Sequence, residues 1–212
     1  MEILDYKKAY KELYLAKTEP SIIKVPRMNF IMVEGKGDPN TSAAYKEAVE
    51  LLYALSYTIK MGLKKTDKPE GYIDYVVFPL EGLWWFDEEF FDGRVKERKA
   101  DFNWIMMIRQ PDFITEELFN RAVISVSKKK PSLDTLKASL KTFEEGLCAQ
   151  VMHLGAYDDE PVTIAKLDDF ISLKGYRTEM KGLRQHHEIY LSDPRKVTAE
   201  KLKTVIRLPI CI

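Results

Sequence analysis

Twice along this chain a strand-like stretch gives way to a helix-like one and then to two further strand-like stretches, and that repeated order restricts the folds open to it. In the first copy Phe30-Ile31-Met32-Val33-Glu34-Gly35 reads as a strand, followed by a turn at Asp38-Pro39-Asn40. Thr41 or Ser42 then caps a helix that runs to Gly62, with Tyr45, Ala48, Val49, Leu52, Leu55 and Ile59 as its apolar stripe. Strands over 75–85 and 102–109 complete the copy. In the second, a strand over 146–157 precedes a helix opened by Glu160-Pro161, carrying Ile164, Leu167, Phe170 and Ile171 and ending at Gly175. Strands over 186–191 and 204–210 follow. Residues 115–143 between the copies read as two helices. Leu118, Phe119, Ala122, Val123 and Val126 line the first, and Leu133, Leu136, Leu140 and Phe143 line the second. A short amphipathic helix over 5–17 stands ahead of everything and stops before Pro20. The copies share element order rather than residue identity. The expected fold is α+β: two pseudo-symmetric β-α-β-β units forming a central ligand cleft, joined by a helical crossover. As one domain it divides into a lead-in (1–29), a first unit (30–110), the crossover (111–145) and a second unit (146–212).

Charge excludes some functions. Lysine plus arginine and aspartate plus glutamate each number 33, so the formal net charge is zero. The only basic run, Lys128-Lys129-Lys130, sits at an expected helix end, so no nucleic-acid partner is expected. The N-terminus has no apolar signal core and no apolar run reaches spanning length, so no membrane partner is expected and the location is cytoplasmic. Cys148 and Cys211 lie in apolar strands and read as buried free thiols of a reducing compartment. Nothing in the sequence sets the oligomeric state.

The chemistry concentrates in two stretches. In Gln185-His186-His187-Glu188-Ile189-Tyr190-Leu191 a strand period of two puts His186, Glu188 and Tyr190 on one face and Ile189 and Leu191 on the other. A solvated strand face is one reading of that pattern. A carboxylate pointing inward among rings is the other, and the aromatics elsewhere favour it. Trp84 and Trp85 end a strand interrupted by Pro79, with Gly82 expected to mark a bulge, and Trp104 and Met106 lie on the neighbouring strand. Three tryptophans in so short a span suit the walls of a site for a flat apolar or cationic molecule better than core filling alone. No glycine loop for a phosphate is present. His186 and His187 face opposite ways on a strand and His153 is remote, so neither a metal site nor a cofactor is expected.

Several motifs in order resemble the GyrI-like small-molecule-binding proteins of the stand-alone kind. They are Asp5-Tyr6-Lys7-Lys8, Val25-Pro26-Arg27-Met28, the turn from Gly35 to Asn40, Leu80-Glu81-Gly82-Leu83-Trp84-Trp85, the run from Trp104 to Pro111, and His187-Glu188-Ile189-Tyr190-Leu191-Ser192-Asp193-Pro194. The resemblance implies a pair of β-α-β-β units around a ligand cleft, with Glu188 at the position of the cleft carboxylate found in multidrug-responsive relatives. The residues ahead of the first strand are too few for those relatives' DNA-binding module. The tryptophan pattern looks like a subgroup that hydrolyses the cyclopropane of DNA-alkylating natural products within an aromatic cage. On that resemblance Glu188 is the expected catalytic residue, and Trp84, Trp85, Trp104, Met106, Tyr157, His186 and Tyr190 are the expected substrate-binding residues. The implied activity is xenobiotic detoxification by hydrolysis; the alternative is non-catalytic sequestration of bulky apolar or cationic compounds.

Overall fold

The computed structural model describes residues 3–65, 68–87 and 98–212. Its elements are α1 (Tyr6–Ala9), α2 (Lys11–Tyr14), β1 (Ser21–Lys36), α3 (Ala43–Leu63), β2 (Leu80–Trp85), β3 (Asn103–Gln110), α4 (Glu116–Lys129), β4 (Ala138–Leu154), α5 (Glu160–Leu173), β5 (Arg177–Thr178), β6 (His186–Tyr190) and β7 (Lys203–Cys211). The chain is α+β, as its periodicities require. Two compact units are woven from separate segments. The first comprises Met1–Tyr6, Met28–Phe78 and Phe86–Phe143, and the second Lys7–Arg27, Pro79–Trp85 and Glu144–Ile212. By sequence β2 falls in the first copy of the repeated order, yet its residues belong to the second compact unit.

In the first unit β1 and β3 pair antiparallel from Asn29 opposite Gln110 to Lys36 opposite Asn103. Every β3 residue from Trp104 onward is buried, so both faces of that strand are covered, which its continuous apolar run demands. Helix α3 begins where the Ser42 hydroxyl accepts the Tyr45 amide at 3.2 Å. Its buried stripe is rotated from the expected one: Leu51, Ser56 and Leu63 join it, while Tyr45 and Val49 are only half-buried. Gly62 is not its cap; the helix runs through Gly62 to Leu63, with Lys64 as the capping residue. Gln110 Nε2 donates to Ser56 Oγ at 3.1 Å, a buried tie between β3 and α3. Thr115 caps α4 through the Leu118 amide at 3.4 Å. Glu116 and Glu117 in the first turn and Lys128 and Lys129 in the last match the helix dipole. The basic run is therefore a helix end, as its sequence suggests.

Gly35 is fixed by Trp104, its partner across the ladder. A Cβ built on Gly35 would clash with three carbons of the six-membered ring of the indole, so the glycine face is the seat of that ring. Gly35→Ala is expected to destabilise the protein by about 1–3 kcal/mol through overpacking. Urea unfolding monitored by tryptophan fluorescence checks this, with a lowered midpoint and an unchanged slope as the expected result.

In the second unit β2 pairs with β6, β6 with β7, and β7 with β4, all antiparallel, and β5 adds two residues at the end of β7. Helix α5 lays Leu167 and Ile171 onto Ala149, Val151, Ile206, Leu208 and Ile210. Burial of each such side chain is worth about 1.5–3 kcal/mol. Pro161 stands in its first turn, and Gly175, at φ +77°, ends it as expected.

Four expectations are corrected. The second crossover helix does not exist: a 3-10 turn at Thr135–Lys137, capped by the Asp134 carboxylate, leads directly into β4. Leu136 is 91% exposed, while Phe143 and Glu145 are buried on either side of exposed Glu144, so period two wins over the helical reading of the leucines. The segment over 5–17 is two four-residue helices separated at Tyr10 rather than one helix. Strand β2 starts only after Pro79, which has no amide to donate to a ladder, and Tyr75 instead bridges Leu4. Cys148 is a buried free thiol, but Cys211 is half-buried and accepts a hydrogen bond from Arg177 Nε at 3.2 Å. No described helix is long and apolar enough to cross a membrane. Most of the connection between the expected strands over 75–85 and 102–109 lies outside the described residues.

Candidate active site

Strand β6 alternates as its sequence predicts, with His186, Glu188 and Tyr190 half-buried on one face and His187 and Ile189 fully buried on the other. Register sets their neighbours. Tyr190, Glu188 and His186 face Leu80, Gly82 and Trp84 of β2, while Glu188 and Tyr190 face Ile206 and Thr204 of β7. Gly82 is paired in an unbroken ladder, so the expected bulge is absent. Directly opposite Glu188 it is buried and contributes no side chain to compete with the carboxylate.

The groups on this face form a chain of hydrogen bonds. Trp84 Nε1 donates to the Tyr190 hydroxyl at 3.0 Å, and that hydroxyl donates to Glu188 Oε2 at 2.8 Å. His186 Nε2 meets Glu188 Oε1 at 3.2 Å. Each carboxylate oxygen keeps a lone pair beyond these contacts, so Glu188 is held in place and still able to accept from a further donor. Tyr157 stands edge-on to Tyr190, ring centroids 5.8 Å apart and planes at 88°. Burial pushes its phenol up to about 12, helped by the negative charges of Glu188, Glu160 and Asp193, so it remains a neutral hydroxyl donor at physiological pH. Tyr190→Phe removes the hydroxyl that links indole and carboxylate. Any turnover that depends on Glu188 is expected to fall roughly tenfold, with KM little changed, in steady-state kinetics.

Not all the expected binding residues come together. Trp84, Tyr157, His186 and Tyr190 gather around Glu188. Trp85 does not share their face: strand alternation sends it to the side of Glu81 and Leu83. Trp104 and Met106 belong to the first compact unit, where they are 1% and 0% exposed and Trp104 packs against Gly35 and, edge-on at 5.5 Å, Tyr45. One contributor was missed. Glu160, read only as a helix opener, is buried, and its carboxylate lies with His186 and Glu188 in a group whose donor atoms are all within 4.8 Å of one another. Its position at the first turn of α5 was legible; that this turn reaches β6 was not.

A second polar cluster occupies the opposite face of the same sheet and was also missed. His187 Nε2 lies 3.0 Å from Glu81 Oε2, and its Nδ1 lies 3.1 Å from both oxygens of Glu145. An imidazole whose two nitrogens both face carboxylates must donate from both, so it is cationic. Burial alone would lower His187, but Glu145 and Glu81 overcome it and hold the ring at about 9. Arg207 adds the second cation. Its NH1 donates to Glu145 Oε2 at 3.1 Å and its NH2 to the Leu13 carbonyl at 2.8 Å. Gln150 accepts from the same guanidinium and donates to the Glu12 carbonyl at 2.7 Å, while Tyr14 donates to Glu81 at 3.3 Å. Two anions and two cations, each about 1% exposed, thus neutralise one another beneath the strand that presents Glu188. The available signal was a single charge inside an apolar strand, Glu81 in β2 and Arg207 in β7.

Known proteins now give this geometry a context. A hydrolase from Listeria innocua is 44% identical, with 99% of this chain and 100% of that one covered and a TM-score of 0.87. An uncharacterized conserved protein from the same organism is 45% identical over the same shares, with a TM-score of 0.91. The C-terminal domain of EcmrR shares the fold at 12% identity and a TM-score of 0.54, covering 91% of this chain and 97% of that one. No curated protein matches. A model described as the GyrI-like small molecule binding domain matches residues 18–210, and the chain belongs to that family of small-molecule-binding domains.

Proposed function

We propose that the protein is a hydrolase that adds water across the strained cyclopropane of flat, conjugated alkylating compounds and so protects the cell from them. The observation that carries this reading is Glu188: a carboxylate fixed by the Tyr190 hydroxyl and His186, with aromatic rings around it and a glycine, Gly82, directly across the ladder. Similarity to two hydrolase structures from Listeria innocua supports an enzymatic role.

The chemistry follows from the groups present. A flat substrate lies against Trp84, Tyr157 and Tyr190, in a place where stacking contacts are favourable. Glu188 accepts a proton from a bound water as the water oxygen attacks the cyclopropyl carbon. The carbon–carbon bond of the ring breaks, and its electron pair runs through the conjugated system to the carbonyl oxygen. Tyr157, kept neutral by its surroundings, is suited to donate a hydrogen bond to that oxygen as its charge develops. The proton held on Glu188 returns through solvent to the product, so one water is added and Glu188 is regenerated. Release of ring strain supplies driving force, and the protein contributes positioning and proton transfer.

One observation favours a second reading. The carboxylates of Glu188 and Glu160 lie near Tyr157, which gives an acidic aromatic surface suited to lipophilic cations that are bound and released unchanged. Incubation with a cyclopropanoid alkylator, followed by mass spectrometry, separates the two. A ring-opened product carrying one added water supports hydrolysis. Saturable thermal stabilisation with the ligand recovered intact refutes it in favour of sequestration.

A further inference from the structure

We infer that Glu160, His186 and Glu188 form a binding site for a divalent transition-metal ion, a use of this surface beyond the hydrolase reading that engages the same Glu188 carboxylate. The three come from two elements: Glu160 from the first turn of α5, and His186 and Glu188 from one face of β6. Their donor atoms lie within 4.8 Å of one another. Metal–ligand bonds of about 2.0–2.2 Å bring donors to roughly 3–3.6 Å apart, so side-chain rotations of about an ångström close the set.

The arrangement of partners within the group selects the atoms. Tyr190 occupies Glu188 Oε2 at 2.8 Å, which leaves Oε1, the oxygen 3.2 Å from His186 Nε2, turned toward the centre of the cluster. A ligating carboxylate steadied on its other oxygen by a hydroxyl donor is a recurring arrangement around bound metals. Two carboxylates at this range repel when both are ionised, and a divalent cation between them removes that repulsion.

A separate observation points the same way. Thr204, on the neighbouring strand and directly opposite Tyr190 on this face, is 1% exposed, and its Oγ1 has no hydrogen-bond partner. A buried hydroxyl left without a partner is costly, and a metal-bound water is one group that would satisfy it. One imidazole and two carboxylates suit zinc, cobalt, iron or manganese ahead of copper(I) or calcium, which want soft or all-oxygen sets. The side chains of His186 and Glu188 are 16% and 14% exposed, enough for an ion to enter from solvent.

Chelator-treated protein titrated with Co²⁺ in the spectrophotometer and with Zn²⁺ in the calorimeter tests this. The expected result is one equivalent per chain, with visible cobalt absorption bands free of the intense charge-transfer feature of a thiolate. Glu160→Gln and His186→Asn should each weaken binding by more than about tenfold. Cys211→Ser and His153→Gln should leave it unchanged, and the metal-free thermal midpoints identify any variant that has failed to fold. A binding curve that does not saturate overturns the inference. So does a site that survives in folded Glu160→Gln or disappears with Cys211→Ser.

Discussion

Glu188→Gln is expected to lower kcat for cyclopropane opening by about 10²–10⁴-fold, the usual contribution of a positioned general base. The amide is nearly isosteric and keeps an oxygen to accept from Tyr190, so the strand and its neighbours have no reason to move. What it loses is the capacity to take a proton from water. KM should therefore change by less than a few-fold, and thermal midpoints of wild type and variant should agree within a degree or two. A parallel fall in stability would instead mark Glu188 as a structural group. Full turnover by Glu188→Gln would leave the carboxylate no part in the chemistry, whatever its position.

The largest effect on stability is expected on the opposite face of the sheet. Glu145 is fully buried between His187 and Arg207. Burial alone would raise its carboxyl, but the two cations overcome it and hold it at about 2, against an ordinary value of 4.5. Glu145→Gln leaves two buried cations facing Glu81 alone, and breaking such a network costs about 3–5 kcal/mol. For a chain of this size that lowers the melting temperature by roughly 10 °C in differential scanning calorimetry. The pH dependence has a definite sign. A carboxyl depressed in the folded state contributes stability that is complete above its unfolded value and lost as pH falls through the folded one. Wild-type stability should therefore fall as pH goes from about 4.5 towards 2, and Glu145→Gln should lack that part of the slope. An unchanged acid limb in the variant would show that other carboxylates govern it.

The legible parts of this molecule were those written in local patterns. Ser42 caps α3 where a capping residue precedes an apolar stripe, Pro161 opens α5, and alternation in β6 places Glu188 with His186 and Tyr190. Errors arose where two periods fit the same residues. Leu133, Leu136, Leu140 and Phe143 satisfy a helical spacing, but β4 begins at Ala138 and takes Leu140 and Phe143 into a strand, while Leu136 is left exposed in the turn before it. The site was half legible for a related reason. Strand alternation names the residues of one face of β6, yet only register reveals that Gly82 stands opposite Glu188 and that Trp84, not Trp85, shares its side. The buried network was missed because His187, Glu81, Glu145 and Arg207 lie on four different strands, and no local spacing links them.

The central claim is that Glu188 activates a water that becomes part of the product. The most direct measurement is turnover of a cyclopropanoid substrate in ¹⁸O-labelled water, with wild-type and Glu188→Gln protein compared by mass spectrometry. The account predicts one ¹⁸O atom in the ring-opened product of the wild type, formed well above the uncatalysed rate, and only the uncatalysed rate with the variant. Ligand recovered intact from the wild type, or labelled product formed equally fast by both proteins, would contradict it.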